Sequence, residues 1–166
     1  MTKPLRKKNF VFPRLDRSVD WQTPPEIIEA LGPFNLDPAA STRQAHPTAK
    51  IMLTKKDNGL AYEWAGRVWL NPPFDAQITP FMRAMAEHNN GIALVPCKMT
   101  AKWWKEYVWP FADSILFLSE KLHFYRGKRR DATPRSHADA SEALIAYGKN
   151  NTKKLENSGI DGVLVT

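Results

Sequence analysis

Short, uniformly apolar segments separated by stretches of helical periodicity constrain this chain more than any other feature. Arg67-Val68-Trp69-Leu70, Ile92-Ala93-Leu94-Val95 and Ser114-Ile115-Leu116-Phe117-Leu118 are too short for helices and too apolar for loops. Between the first two, residues 79–88 place Phe81, Met82 and Met85 on one side of a helix, which Asn89-Asn90-Gly91 stops. A second helix is expected over residues 100–108, and Glu142-Ala143-Leu144-Ile145-Ala146-Tyr147 returns as a further strand. Strand, helix, strand, helix, strand is the order of an α/β fold. Runs without polar alternation suit strands buried on both faces, so the sheet is expected to be predominantly parallel.

The remaining segments are less regular. Residues 1–18 carry Lys3, Arg6, Lys7, Lys8, Arg14 and Arg17 and read as a basic N-terminal arm, with residues 19–166 as one domain. Thr23 has the spacing of a helix N-cap, with Pro24 at the first helical position and Glu26 completing a capping box; Gly32-Pro33 ends that helix. Phe34-Asn35-Leu36-Asp37 reads as a short buried strand and Pro38-Ala39-Ala40-Ser41 as a tight turn of small residues. Residues 42–62 read as polar loop with one short strand at 51–53. The last eighteen residues carry no legible pattern.

The formal net charge of +7 favours a polyanionic partner. Six tryptophans in 166 residues serve either a core or stacking on planar groups. The single cysteine, Cys97, excludes an internal disulfide and a cysteine-rich zinc site, and suits a reducing, cytoplasmic setting. No apolar run reaches the length of a membrane span, and no metal site is expected.

Asn71-Pro72-Pro73-Phe74 follows an apolar strand directly, which is where ligands bind in open α/β sheets. Proline fixes its own φ, lacks an N–H and pushes the preceding residue into an extended conformation, so the loop is a stiff display of acceptors. The Asn71 side-chain oxygen and the Pro72 carbonyl suit the two protons of an exocyclic amine, whose lone pair is otherwise delocalised into a ring. Phe74 offers a face for a stacked base or for a cationic methyl donor. The bland alternative is a rigid Pro-Pro turn beside a packed phenylalanine.

In these residues the chain resembles the phage-type DNA N6-adenine methyltransferases, small relatives of the Dam enzymes. The matching stretches are Asp20-Trp21-Gln22-Thr23-Pro24, Leu36-Asp37-Pro38-Ala39-Ala40-Ser41, Asp57-Asn58-Gly59-Leu60, Val68-Trp69-Leu70-Asn71-Pro72-Pro73-Phe74, and Leu94-Val95-Pro96 with the helix bearing Trp103 and Trp104. The resemblance implies a trimmed, Rossmann-like methyltransferase fold that uses S-adenosylmethionine. It also implies double-stranded DNA as partner and the cytoplasm of a bacterial host as setting, with self-protection from restriction as one purpose. Asn71, Pro72, Pro73 and Phe74 would be catalytic. Trp21, Thr23, Pro24, Asp37, Pro38, Ala39 and Asp57 would bind the cofactor, Asp37 through its ammonium or ribose and Asp57 through ribose or adenine. An ordinary turn or cap role remains open for both aspartates. The sequence departs from the broader methyltransferase pattern in lacking the glycines of the usual cofactor loop after Asp37.

A base in duplex DNA reaches such a loop only when flipped out, so recognition belongs to a separate basic segment. Residues 120–140 are basic and turn-rich, and Arg126, Lys128, Arg129, Arg130 and Arg135 are the candidates; a solvated charged loop is the alternative. Lys98, Lys102, Trp103, Trp104 and Lys105 form a second cluster, in which one tryptophan is expected in the core and the other nearer the surface. The catalytic loop alone does not separate adenine N6 from cytosine N4, from guanine in RNA or from protein glutamine. A cytosine-C5 enzyme using Cys97 would need an activated thiolate. A DNA-binding module without catalysis would leave the Pro-Pro loop without a purpose.

Overall fold

The computed structural model describes residues 6, 22–42, 44–124, 135–136 and 141–166. In chain order these form α1 (Pro25–Leu31), β1 (Leu36–Ala40), β2 (Ile51–Thr54), β3 (Val68–Leu70), α2 (Ile78–His88), β4 (Gly91–Pro96), α3 (Lys102–Tyr107), β5 (Ser114–Leu118), β6 (His123–Phe124), β7 (Arg135–Ser136), β8 (Glu142–Tyr147), α4 (Lys149–Glu156) and β9 (Gly162–Val165), with a 3-10 turn at Gly59–Ala61. Seven strands make one sheet in the order β2-β1-β3-β4-β8-β5-β9; β6 and β7 pair separately.

Side-chain alternation along the central strands explains the layering. Val68 and Leu70 of β3, Ala93 and Val95 of β4, and Ala143, Ile145 and Tyr147 of β8 pack on one face with α2 and α3. Trp69, Ile92, Leu94, Leu144 and Ala146 point to the other face, where Ile27 and Leu31 of α1 and Leu155 of α4 cover them. Both faces are covered, so these strands are apolar almost throughout, Glu142 at the start of β8 excepted, as the sequence led us to expect.

Strand direction differs from that expectation. β1 runs parallel to β2 and β3, and β3 to β4, but β8 lies antiparallel to both β4 and β5, and β9 antiparallel to β5. The sheet is mixed, and its longest register is the antiparallel one between β4 and β8. The physical cause is connectivity. A parallel pair needs a crossover, usually a helix, whereas the chain leaves β5 and re-enters β8 at the same sheet edge. An apolar run reports burial on two faces and carries no sign of direction.

Four local expectations also change. Pro38, Ala39 and Ala40 continue β1 instead of turning, and the pairing with β2 shifts register between Asp37 and Ala40, where Pro38 has no N–H to give. Helix α1 begins at Pro25 without a side-chain cap, so Thr23 is not its N-cap. Trp103 and Trp104 are both core residues, 6% and 0% exposed with ring centroids 5.4 Å apart, because α3 is wedged against both α2 and the sheet. The last eighteen residues contain α4 and β9.

At the edge opposite the carboxyl ends of β1, β3 and β4, Arg67 ties the layers together. Its Nε donates to Asn151 of α4 at 2.5 Å, and one terminal nitrogen donates to the carbonyls of Leu31 and Pro33 at 2.6 and 3.1 Å. The guanidinium carbon lies 4.3 Å from the Phe34 ring centroid.

Candidate active site

Because β1, β3 and β4 are parallel neighbours, their carboxyl ends open on one edge of the sheet. Leu70 pairs with Ala93, and Asn71 leaves the sheet directly after it. Pro72 is buried, while Asn71, Pro73 and Phe74 are half-buried. The loop closes on an Asp75 carboxyl that accepts the Gln77 N–H at 2.8 Å, and the Asp75 carbonyl accepts the Ile78 N–H at 3.1 Å as α2 begins. Phe74 meets Phe124 edge to face, with centroids 6.0 Å apart, which fixes one side of its ring.

The Asn71 Nδ2 donates to the Thr23 hydroxyl at 3.2 Å. This contact joins residues that sequence reading assigned to separate roles, and it sets the amide so that Oδ1 faces away from Thr23. The hydroxyl that sequence spacing placed at a helix cap bonds the Asn71 loop instead.

Asp37, the second residue of β1, is 2% exposed. Its Oδ1 accepts the Ala39 N–H at 3.0 Å and its Oδ2 the Thr48 hydroxyl at 2.5 Å. Burial outweighs these bonds and raises its pKa from an ordinary 3.8 to about 6. The segment carrying Thr48 is stitched to the residues before the first helix as well: Gln22 Oε1 accepts the Ala45 N–H at 2.9 Å. His46 bonds the Thr23 backbone, and burial holds its imidazole below the usual histidine range. Gln44 Nε2 and His46 Nε2 are both buried without a hydrogen-bond partner among the described residues. No motif in the sequence pointed to either; only their place between two matched stretches could have drawn notice.

Gly59 explains how the Asp57-Asn58-Gly59-Leu60 stretch joins the site. A Cβ there would lie 1.9 Å from the Pro38 carbonyl oxygen, so only glycine allows the 3-10 turn to pack on β1. Asp57 itself is exposed. Its Oδ2 accepts both the N–H and the hydroxyl of Thr54 at 2.8 Å, bonds that lower its pKa. This is the bonding of a turn aspartate closing the exit of β2.

Trp21, Arg126, Lys128, Arg129 and Arg130 lie outside the described residues, as does the arm apart from Arg6, whose carbonyl accepts the Glu63 N–H at 2.8 Å. Arg135 is described only as the backbone partner of Phe124. Cys97 is half-buried; burial and the nearby Glu142 carboxyl push its thiol up to about 11, the reverse of what a nucleophilic cysteine needs. Among the described residues no group of three His, Cys, Asp or Glu is placed to hold a metal ion, and no helix is long and apolar enough to cross a membrane.

A buried carboxyl near two buried polar nitrogens that are unpartnered among the described residues fits the charged amino-acid end of S-adenosylmethionine. No curated protein and no solved structure matches the chain. A family model, DNA N-6-adenine-methyltransferase (Dam), matches residues 14–158, most of its length. The chain therefore belongs to the DNA N-6-adenine-methyltransferase (Dam) family.

Proposed function

We propose that the protein transfers a methyl group from S-adenosylmethionine to the N6 amine of a flipped-out adenine in duplex DNA. The observation that carries this reading is the Asn71–Thr23 bond at the carboxyl end of β3. The bond holds the Asn71 amide at the end of the strand, where its Oδ1 is proposed to accept one amine proton and the Pro72 carbonyl the other. Two acceptors pull the amine out of conjugation and raise its nucleophilicity. Phe74, braced by Phe124, stacks the flipped base.

Trp21, Thr23, Pro24, Asp37, Pro38, Ala39 and Asp57 are the proposed cofactor-binding residues. When bound, S-adenosylmethionine supplies a methyl on a cationic sulfur. The Asp37 carboxylate, buried with its charge poorly solvated, gains from a cationic partner such as the cofactor's ammonium. Asp57 is the weakest of the set, since Thr54 already uses its carboxylate.

Arg126, Lys128, Arg129, Arg130 and Arg135 are the proposed DNA contacts, consistent with a net charge of +7. Replacing Arg129 and Arg130 by Ala is expected to weaken DNA binding and to reduce the slope of log affinity against log salt by about 2. The catalytic assignment is tested by Asn71→Ala. Loss of labelled methyl transfer with retained S-adenosylhomocysteine binding is expected, and near-normal turnover overturns it.

A further inference from the structure

The stretch after β1 carries none of the glycines that let a backbone approach a cofactor closely. Side chains stand in that place. Residues 44–48 are held over the edge of β1 by three contacts: Ala45 N–H to Gln22, His46 to the Thr23 backbone, and Thr48 to Asp37. Within this anchored segment two polar atoms, Gln44 Nε2 and His46 Nε2, are buried and unpartnered among the described residues. Buried polar atoms are rarely left so, and two of them beside a proposed ligand site call for a ligand.

Their chemistry is complementary. Gln44 Nε2 is a donor only. The bond from His46 to the Thr23 backbone favours the charged imidazole, so His46 donates there, and with Nε2 unpartnered the donating nitrogen is Nδ1. In the neutral ring Nε2 is then an acceptor. Glu26 and Glu29 of α1 add negative potential at His46. A donor matched to a carboxylate and an acceptor matched to an ammonium describe the two ends of an α-amino acid.

We propose that Gln44 and His46 bind the amino-acid end of the cofactor, Gln44 Nε2 donating to its carboxylate and His46 Nε2 accepting from its ammonium. The assignment rests on the methyltransferase reading above and adds the side chains that replace the missing glycine loop. Calorimetry on the full chain tests it, with S-adenosylhomocysteine against 5′-methylthioadenosine, which has the nucleoside and sulfur but no amino acid. Gln44→Ala and His46→Asn are each expected to weaken S-adenosylhomocysteine binding about tenfold or more. Methylthioadenosine affinity is expected to hold within about twofold. His46→Asn keeps a donor for the Thr23 carbonyl while deleting the acceptor, which separates binding from folding, and a far-ultraviolet spectrum checks the latter.

Unchanged S-adenosylhomocysteine affinity in both variants overturns the inference and leaves the two atoms to bind water. Equal losses for both ligands overturn it too, by moving the residues to the nucleoside end. A wild-type chain that binds neither ligand overturns the methyltransferase reading itself. The two failures are thus distinct.

Discussion

Replacing Asp37 by asparagine gives the most quantitative test of how the site is built. Asp37 is almost wholly buried, and burial raises its carboxyl from 3.8 to about 6 despite bonds from Ala39 and Thr48. The folded chain therefore holds this proton more tightly than the unfolded chain does. The stability so gained is fully present below pH 3.8 and is lost as pH rises through about 6. At about 1.4 kcal/mol for each pH unit of displacement, the loss is about 3 kcal/mol. The asparagine in Asp37→Asn cannot ionise, keeps an acceptor for the Ala39 N–H and presents a donor to Thr48, a rearrangement that costs about 1 kcal/mol. Urea unfolding of both chains from about pH 4 to about pH 8 isolates the effect, because every other titrating group cancels in the difference. Of that loss, the wild type should show about 2 kcal/mol relative to the variant between about pH 4 and about pH 7. Parallel pH curves would refute the claim that the Asp37 charge is strained by burial. The same variant should bind S-adenosylhomocysteine less tightly above the Asp37 pKa, since it removes the charge proposed to meet the ammonium.

Thr23→Val deletes the hydroxyl that orients Asn71, and the single-turnover rate at saturating S-adenosylmethionine should fall by about tenfold or more; calorimetry with S-adenosylhomocysteine separates that loss from the loss of a proposed cofactor contact. Gly59→Ala forces a methyl against the Pro38 carbonyl and should cost about 1–3 kcal/mol in denaturant midpoint experiments. Arg67→Lys loses the forked bonds to Leu31, Pro33 and Asn151 and should destabilise by about 2 kcal/mol, with a smaller effect taken as evidence that the introduced lysine recovers the contacts.

Strands β4, β5 and β8 were legible in the sequence almost to the residue, because each is an apolar run bounded by polar or turn residues, with Ser114 and Glu142 as the polar first positions of β5 and β8. Helix α2 was legible through Phe81, Met82 and Met85, with Asn89 ending it in a left-handed conformation that asparagine tolerates. Helix α4 was not, since only Asn151 and Leu155 of its eight residues are buried, and one apolar residue per two turns makes no stripe. The four-residue β9 has Val163 and Val165 exposed at the sheet edge, a pattern that short coil shares. The direction of β8 depends on the path of the chain from β5, which local pattern does not encode.

The site divides in the same way. The Asn71-Pro72-Pro73-Phe74 loop advertised itself through rare residue types directly after a strand, and the structure places it at the carboxyl end of β3 against Thr23. The Thr23–Asn71 bond spans 48 positions and has no signature in spacing. Gln44 and His46 sit in a segment whose composition is that of an ordinary polar loop. Their distinction is a burial that only folding creates.

The most direct test of the central claim is transfer of labelled methyl from S-adenosylmethionine to unmodified duplex DNA, followed by nucleoside analysis of the product. Label on N6-methyladenine, absent with Asn71→Ala, is the expected result. Label on N4-methylcytosine would contradict the choice of base while keeping the loop chemistry. No label on DNA from a chain that binds S-adenosylhomocysteine would contradict the proposed substrate.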